Sequence, residues 1–573
     1  MRPSALLISM PWGSLNEPSL GLGVLAAALR QRGYEVVVRH LHLWLLDYMR
    51  PDSYKVLADL YALNDFVFSR DLDPDGPTDH QLALIHKLTN DRFDRIDYGF
   101  RRTLDPAPHV DQYLRLRNEL IPTFLDDCMR EVRKHEFSFV GFTCMYDQTL
   151  PSVALARRIR QEYPGALIVL GGTAVLPPTA QTILRSFPWL DAVNLGDGEW
   201  TIDRLVDASV NRSLLPGVPG IIYRSGPEQA ADIVVTPGAR SSGPMDGVPW
   251  PDYSDWMADI DELYKQTKVR ITPVALPLET SRGCWWGQRN HCTFCGIDEV
   301  SMQYRRRSPE FVAPQLESLS DQYGVTNFRF SDYIMPREYF RTLLPELGRR
   351  DSPFRLHWEM KSNMTVEEAD ILQRGGVFRA QLGVESFSTP VLKMMRKGVN
   401  GLQNITAIRM LAERDIEVYY NFLYGFPEDD AEYYRRMWDL IPRLSHFPPP
   451  ETFLAILFSR FSPLSLSWAS KGPLHAHYRY GIIFSEAFLQ RTGFSLDDYC
   501  YVFQRPYDVA DDVRSACDVL VYQIAHWRRE WDEGNRKSCT LQYNDSAKVV
   551  RDSRFGSEEH YPLTHDESVV LGR

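Results

Sequence analysis

At 573 residues the chain is too long for one hydrophobic core, so roughly two to four domains are expected. Its 44% apolar and 24% charged residues fit a globular protein, and a net charge of −11 argues against general nucleic-acid binding, which needs a basic surface. No apolar run approaches the ~20 residues that span a bilayer, and the N-terminal stretch lacks the apolar core and cleavage site of a secretory signal, so a cytoplasmic setting without membrane contact is expected.

Residues 1–245 alternate short apolar runs with helical periodicity. Strands are predicted over 5–10, 35–41, 137–144, 166–170 and 191–195, and helices over 21–32, 151–163 and 176–186. Strands alternating with helices imply an α/β, doubly wound, Rossmann-like parallel sheet, with 44–135 as a helical insertion packed on one edge. Such sheets bind ligands at the loops beyond their strand C-termini. Here those loops carry Pro11-Trp12-Gly13, Tyr146-Asp147-Gln148, Gly171-Gly172-Thr173 and Gly196-Asp197-Gly198-Glu199. The glycine pairs permit close approach of a bulky ligand, although a turn alone can also require glycine.

Residues 240–270 are rich in Gly, Pro, Asp and Ser, which suits a linker. A second series of strands is predicted over 271–278, 327–331, 355–360, 379–385, 418–424 and 453–458. Helices over 309–322, 337–349, 389–397, 403–414 and 430–442 separate them. Six βα units fit a partial (β/α)6 barrel over 246–450, with a second doubly wound sheet as the alternative. Several strand ends are polar: Asp332, Glu359, Lys361, Asn363, Glu385 and Ser386, with Gly425-Phe426-Pro427 after the fifth strand. Residues 451–573 read as a C-terminal α+β extension that caps the barrel or meets substrate. It contains an aromatic stretch over 478–484, a helix over 513–531 with Trp527 and Trp531 as packing residues, and a last strand pair near Leu541 and Val549.

The loop after the first strand of the second series reads Arg282-Gly283-Cys284-Trp285-Trp286-Gly287-Gln288-Arg289-Asn290-His291-Cys292-Thr293-Phe294-Cys295-Gly296. Three thiols on one loop suggest a soft metal or an iron–sulfur cluster, for which thiolate is the preferred ligand. Three thiolates on a four-iron cluster leave one iron open to a small molecule. Disulfide pairing is a poor alternative with 8 cysteines in the chain and an odd number on the loop. Structural zinc with His291 as fourth ligand lacks the second closely spaced ligand pair. Ordinary burial suits Cys128, Cys144, Cys500, Cys517 and Cys539, but does not account for three thiols beside Gly283, Gly287 and Gly296. Arg305-Arg306-Arg307 follows, either as a solvated loop end or as an anion site.

At the cysteine loop, with Phe294 before the last cysteine, Gly383-Val384-Glu385-Ser386 and Gly425-Phe426-Pro427, the chain resembles the radical S-adenosylmethionine (SAM) superfamily. The usual spacing is three residues and then two; here seven residues separate Cys284 from Cys292. That longer gap, together with Ser9-Met10-Pro11-Trp12, Val140-Gly141-Phe142-Thr143-Cys144, Gly171-Gly172, Gly196-Asp197-Gly198-Glu199 and Arg460-Phe461-Ser462-Pro463, is similar to a narrower group. Its members are cobalamin-dependent radical SAM C-methyltransferases that mature ribosomally synthesised peptides (RiPPs).

The resemblance implies that Cys284, Cys292 and Cys295 hold a 4Fe-4S cluster whose open iron chelates SAM. Glu385 and Ser386 would hold SAM, with Phe294 and the backbone near Gly425 beside its adenine. It further implies that residues 1–245 bind cobalamin, as methylcobalamin, through Pro11, Trp12, Tyr146, Gln148, Gly171, Gly172, Thr173, Gly196 and Glu199. Cobalt ligation by a domain histidine is not expected, because none of the 14 histidines follows the Asp-x-His-x-x-Gly pattern; the Tyr146–Gln148 loop is expected beneath cobalt instead. The implied activity is methylation of an unactivated carbon of a precursor peptide, with flavodoxin or ferredoxin as electron donor. Radical peptide modification without methyl transfer (epimerisation, cross-linking or rearrangement) is the alternative, and a non-catalytic metal-binding protein a remote one.

Overall fold

A computed structural model describes residues 3–90, 110–226, 232–238, 243–534, 540–544, 546–554 and 557–565. Part of the expected insertion, 91–109, and Cys539 lie outside the described residues. Strands β1 (Ser4–Ser9), β2 (Glu35–Arg39), β3 (Phe139–Thr143), β4 (Leu167–Gly171) and β5 (Ala192–Asn194) pair in parallel in the order β2-β1-β3-β4-β5. Leu167-Ile168-Val169-Leu170 is buried on both faces of the sheet, which explains its unbroken apolar run. The strand order reverses between β1 and β3, so the loops after these two strands leave in opposite directions and open a crevice at the C-terminal edge.

Two features of this half depart from the sequence reading. An antiparallel hairpin, β6 (Ile221–Ser225) and β7 (Asp232–Val235), extends the sheet from β5. The expected linker contains a 14-residue helix, Ser254–Thr267. Its Trp256, Ile260 and Leu263 enter the core while Asp259 takes the backbone N–H of His40 at 2.8 Å, tying the helix to the end of β2. Bulk Gly, Pro, Asp and Ser content hid the three-residue apolar stripe. The insertion packs Tyr54, Phe66, Phe68 and Phe124 into the same core as β1 and β3.

The second half opens with β8 (Leu276–Leu278). The short strands β9 (Ser281–Arg282) and β10 (Arg305–Arg306) pair antiparallel and pinch the two ends of the cysteine loop together. Strands β11 (Asn327–Phe330), β12 (Arg355–Met360), β13 (Val377–Leu382) and β14 (Glu417–Tyr419) then form a parallel sheet in the order β8-β11-β12-β13-β14. The expected strand over 418–424 is divided at buried Tyr420, whose hydroxyl donates to Pro448 O at 2.9 Å. Beyond it, β15 (Asn421–Tyr424) pairs in parallel with β16 (Thr452–Ala455), and a single Glu385–Phe422 bridge links this pair back to the end of β13. The sheet's outer face, with Phe328, Phe330, Leu356, Trp358, Ala380 and Leu382, packs against the surrounding helices. Its inner face carries Arg329, His357, Glu359, Arg379, Gln381 and Tyr419, none of them in the apolar core.

Residues beyond 451 pack in two places. Tyr480, Phe484, Phe488, Phe494 and Tyr499 enter the first core, where Phe187 meets the rings of Phe484, Phe488 and Phe494. Helix Asp511–Asp532 instead lays Val513, Ala516, Leu520, Ile524 and Trp527 into the second core. The extension therefore straps the two halves together. The small terminal sheet has three strands, Leu541–Asn544, Val549–Asp552 and Glu559–Pro562, one more than expected. Among the described residues no helix is long and apolar enough to cross a membrane.

Trp358 shows how tightly the second core is set. Its ring stacks on Phe330 at 3.8 Å between centroids, and its indole N–H reaches Asp332 Oδ2 at 3.1 Å. Trp358→Ala is expected to cost about 3–5 kcal/mol through the cavity and the lost donor, whereas Leu402→Ala, at a side chain 73% exposed, should stay within about 0.5 kcal/mol. Denaturant midpoints of the two variants check this.

Candidate active site

Backbone geometry shapes the cysteine loop. Gly283 has φ +75°, and a Cβ there would lie 2.3 Å from Gln303 O, so only glycine fits where β9 turns into the loop. Cys284, Cys292 and Cys295 are half-buried free thiols, and Cys284 Sγ accepts the Gly287 N–H at 3.2 Å. Burial pushes the Cys292 thiol up and that of Cys295 up to about 11. A bound metal would reverse that preference, because coordination deprotonates a thiol outright.

Among the described residues no group of three His, Cys, Asp or Glu side chains converges as a single ion would require. His291 is turned toward Cys295 O, with Nε2 at 3.0 Å from it. That contact engages a ring nitrogen of His291, the residue the zinc reading needs as fourth ligand. Three thiols set around a loop, with no other charged ligand among them, suit a multi-iron cluster.

The long first gap of the loop has a structural use. Trp286 inserts its ring beneath Lys361, whose Nζ sits 3.8 Å from the ring centroid, and donates Nε1–H to Arg396 O at 3.1 Å. A Cβ at Gly398 would come within 2.1 Å of that ring, so this glycine makes the seat. Thr293 N donates to Met395 O at 3.2 Å, and from the C-terminal extension Leu464 N donates to Thr293 O at 2.9 Å and Tyr501 OH to Gly296 O at 3.0 Å. The loop is braced from both sides.

Residues expected around SAM are brought together in part. Lys361 donates to Lys397 O, and Lys397 Nζ pairs with Glu385 Oε1 at 3.1 Å while lying 5.8 Å from the Phe294 ring. Burial and then the neighbouring Lys397 lower Lys361 to about 8. Glu385 occupies the left-handed region at φ +60°, and its carbonyl takes the Leu423 N–H at 2.9 Å. Ser386 is buried, and its hydroxyl accepts the Ser388 N–H at 3.0 Å. Gly425 lies at the end of β15, where Asp429 takes its N–H at 2.6 Å and Tyr507 donates to its carbonyl at 2.9 Å.

A cavity of about 640 Å³ opens at the C-terminal edge of the first sheet. Trp12, Gln148, Gly171, Gly172, Gly196 and Glu199 line it, as do Pro277, Arg329 and Ser331 from the second sheet. It runs inward past Leu7, Phe139, Gly141 and Val169, between the sheet and the helices Leu20–Gln31 and Ile202–Val210. Side chains at two glycines would fill it or its rim. A Cβ on Gly141 would meet Leu7 and Phe139 at 2.9 Å, and one on Gly172, where φ is +123°, would meet Cys144 O at 2.2 Å. A smaller cavity of about 260 Å³, lined by Gly172, Thr173, Gly196, Arg282, Gly283 and Tyr333, leads on to the neck of the cysteine loop. A large ligand with an apolar projection fits this cradle. Pro11 is buried beside it, and Tyr146 lies in the same turn as Gln148.

Gln148 acts as a strut. Its amide donates to Met10 O at 2.7 Å and Ser9 Oγ at 3.1 Å and accepts the Met145 N–H at 3.3 Å, joining the loops after β1 and β3. The two histidines near β2 are internal: His40 pairs with Asp259 at 3.0 Å, and His42 lies 3.0 Å from Ser14 O. Burial and then His40 push His42 down to about 3, so it stays neutral.

Charged residues join the two sheets, among them Arg282 and Glu279, to which the sequence assigned no role. Arg282 pairs with Glu199 at 2.6 Å and Asp197 at 3.0 Å from the first half, and through its Nε with Glu279 at 2.8 Å. Arg305 also reaches Asp197, at 2.9 Å. Burial raises Glu199 and Glu279, but Arg282 outweighs it at Glu279, which ends below its ordinary value. Arg306 pairs with Glu338, and buried Arg307 donates to Val248 O at 3.1 Å, so each arginine of the basic triplet has a partner within the fold. Arg329 grips Glu17 through Nε and Nη2 at 2.6–2.9 Å. The only advance signal was charge at strand ends; which charges meet depends on the docking of the halves.

The radical SAM superfamily profile matches residues 278–441, so this segment is similar to radical SAM domains. Over 310 residues the chain is 25% identical to an uncharacterized methyltransferase of Pyrococcus horikoshii, covering 53% of this chain and 64% of that protein. Over 300 residues it is 28% identical to the anaerobic magnesium-protoporphyrin IX monomethyl ester cyclase of Cereibacter sphaeroides, covering 50% and 46%. Over 298 residues it is 24% identical to the cobalamin-dependent radical SAM methyltransferase TokK of Streptomyces tokunonensis, covering 49% and 41%. The matches thus span under two thirds of each relative. In fold the chain is similar to the radical SAM methyltransferase TsrM of Kitasatospora setae, at TM-score 0.56 and 18% identity over 91% of this chain and 89% of that one. It is also similar to the cobalamin-dependent radical enzyme OxsB, at TM-score 0.51 and 16% identity over 100% and 66%.

Arg282→Met removes one cation from three carboxylates. Glu279 is held below its ordinary value, so its stabilising contribution is present above the unfolded carboxylate range and fades as pH falls through the folded value. The parent keeps that contribution at both pH 8 and pH 5. Without Arg282, burial raises the orphaned carboxyls, so the variant is expected to lose about 3 kcal/mol near pH 8 and visibly less near pH 5, where those carboxyls take up protons. Thermal denaturation at the two pH values measures the difference.

Proposed function

We propose that the protein is a cobalamin-dependent radical SAM methyltransferase that acts on an unactivated carbon of a ribosomally made precursor peptide. The observation that carries this reading is the meeting of two sites. The cavity at the switch of the first sheet opens toward the second sheet beside the cysteine loop, through residues that line both cavities, among them Gly172, Gly196, Glu279 and Arg282. A 4Fe-4S cluster with SAM, and methylcobalamin, would supply hydrogen-atom abstraction and the methyl group respectively.

The chain's own part is to bind, orient and exclude water. Cys284, Cys292 and Cys295 would hold the cluster; Glu385, poised by Lys397, would hold a polar group of SAM beside Phe294. The glycine-lined cavity would take the corrin with its tail between sheet and helices. Arg282 fixes the separation of the two sites, and the extension closes over the cysteine loop, which shields reactive species from solvent. The peptide substrate rests on the sequence resemblance, carried by the long gap between Cys284 and Cys292 and by Arg460-Phe461-Ser462-Pro463. A one-electron donor of the flavodoxin or ferredoxin type and a cytoplasmic setting belong to the same reading.

Anaerobically reconstituted protein should contain a four-iron cluster by iron analysis and electron paramagnetic resonance, bind corrinoid by absorbance, and add one methylene to its peptide by mass spectrometry. Cys292→Ala should lose iron and SAM cleavage while retaining corrinoid. Iron and SAM cleavage retained in that variant would sink the cluster assignment. Modification of the peptide without a mass gain would point to radical rearrangement in place of methylation.

A further inference from the structure

An inner barrel face is ordinarily filled by branched apolar side chains. In this protein the inner face of the second sheet is polar, and its two rows differ. The deeper row, in register across β11 to β14, is Arg329, His357, Arg379 and Glu417. Both arginines there are spent: Arg329 on Glu17, and Arg379 on Glu417 at 2.7 Å. The next row toward the C-terminal edge is Glu359, Gln381 and Tyr419 on adjacent strands. Among the described residues no hydrogen bond from or to these three side-chain ends is seen, although three polar groups side by side could have bonded each other.

The position of this row sets what it can serve. β12 lies between β11, whose Arg329 and adjoining Ser331 line the large cavity, and β13, which leads to Glu385 beside Lys397 and the cysteine loop. A ligand on the row therefore lies between the two cofactor sites. Neighbouring strands are about 4.8 Å apart, so three side chains span roughly 10 Å, the reach of an extended tripeptide. Their chemistry is mixed: a carboxyl, a carboxamide that donates and accepts, and a phenol. Burial, opposed by Arg329 and reinforced by Asp332 and Glu385, raises Glu359 to about 7, which is the mark of a carboxyl lacking a strong partner of its own.

We infer that Glu359, Gln381 and Tyr419 form the substrate-recognition row, that the row takes the amide groups of a peptide, and that Glu359 accepts a substrate N–H next to the reacting carbon. This rests on the reading of the protein as a peptide-modifying radical methyltransferase. Glu359 is a specificity residue here and passes no proton in the reaction.

The test uses the anaerobically reconstituted full chain with both cofactors loaded. A library of N-acetylated, C-amidated hexapeptides is passed over it, and the Kd of the best-retained member is measured by calorimetry. Glu359→Met and Gln381→Ala should each weaken binding by about tenfold or more, the effect of one hydrogen bond to a desolvated group. Glu359→Gln, which keeps the acceptor oxygen, should stay within about threefold, as should the distant Leu402→Ala. Iron and corrinoid contents equal to the parent's establish that each variant is folded. A loss in Glu359→Gln equal to that in Glu359→Met would mean the row reads a cation, and would overturn the amide assignment. Tight hexapeptide binding untouched by all three row substitutions would overturn the row and leave the peptide reading standing. Loaded enzyme that retains no hexapeptide would overturn the peptide reading, and the inference with it.

Discussion

Everything at the site depends on one guanidinium. Arg282 stands at the base of the cysteine loop and holds Asp197 and Glu199 of the loop after β5 together with Glu279 of its own half. Two sheets with parallel strands each present polar loops at their C-terminal edges, and nothing in their apolar cores requires those edges to face each other. The ion pairs join those edges, and the extension, packed into both cores, holds the two halves together around them. The paired side chains are only 5–20% exposed, so the charges are substantially desolvated, and removing one partner costs far more than an exposed pair would.

The same residue begins the cysteine loop, which couples domain docking to loop geometry. β9 and β10 clamp the loop at its neck, Gly283 turns it, and Trp286 pins its far side between Lys361 and Gly398. The additional residues between the first two cysteines are thus a docking element. They carry an aromatic ring to a seat made by the turn after the helix Thr389–Met394. The C-terminal extension completes the bracing because it belongs to both cores at once. Its aromatic cluster enters the first and its long helix the second, and the segment joining them touches the cysteine loop.

Function in this architecture comes at the expense of local packing. The inner face of the second sheet gives up an apolar core for arginine, histidine, glutamate and glutamine, and cohesion there comes from outer-face contacts such as the Phe330–Trp358 stack. The buried carboxylate of Asp332 shows the same trade. Burial raises it to about 6, and the donors of Thr280, Ser281 and Trp358 keep it in place. Its position at the end of the Phe-Arg-Phe-Ser-Asp run was legible in sequence; its use, anchoring the strand that leads into the cysteine loop, was not.

The sequence by itself determined the local elements and the chemistry they carry. Unbroken apolar runs marked the buried parallel strands, glycine-rich loops marked their C-terminal ends, and three closely spaced cysteines marked the reactive loop, because each of these depends only on residues near in the chain. Tertiary structure alone decided which loops face one another. Arg282 meets Glu199 across 83 positions, and Arg329 meets Glu17 across 312. It also decided that a stretch with linker composition folds as the helix Ser254–Thr267, and that Glu359, Gln381 and Tyr419 stand in one row. The physical reason is common to all of these. Ion pairing, edge covering and strand register are energies of contact between distant segments, and composition or periodicity within a segment carries no record of its partner.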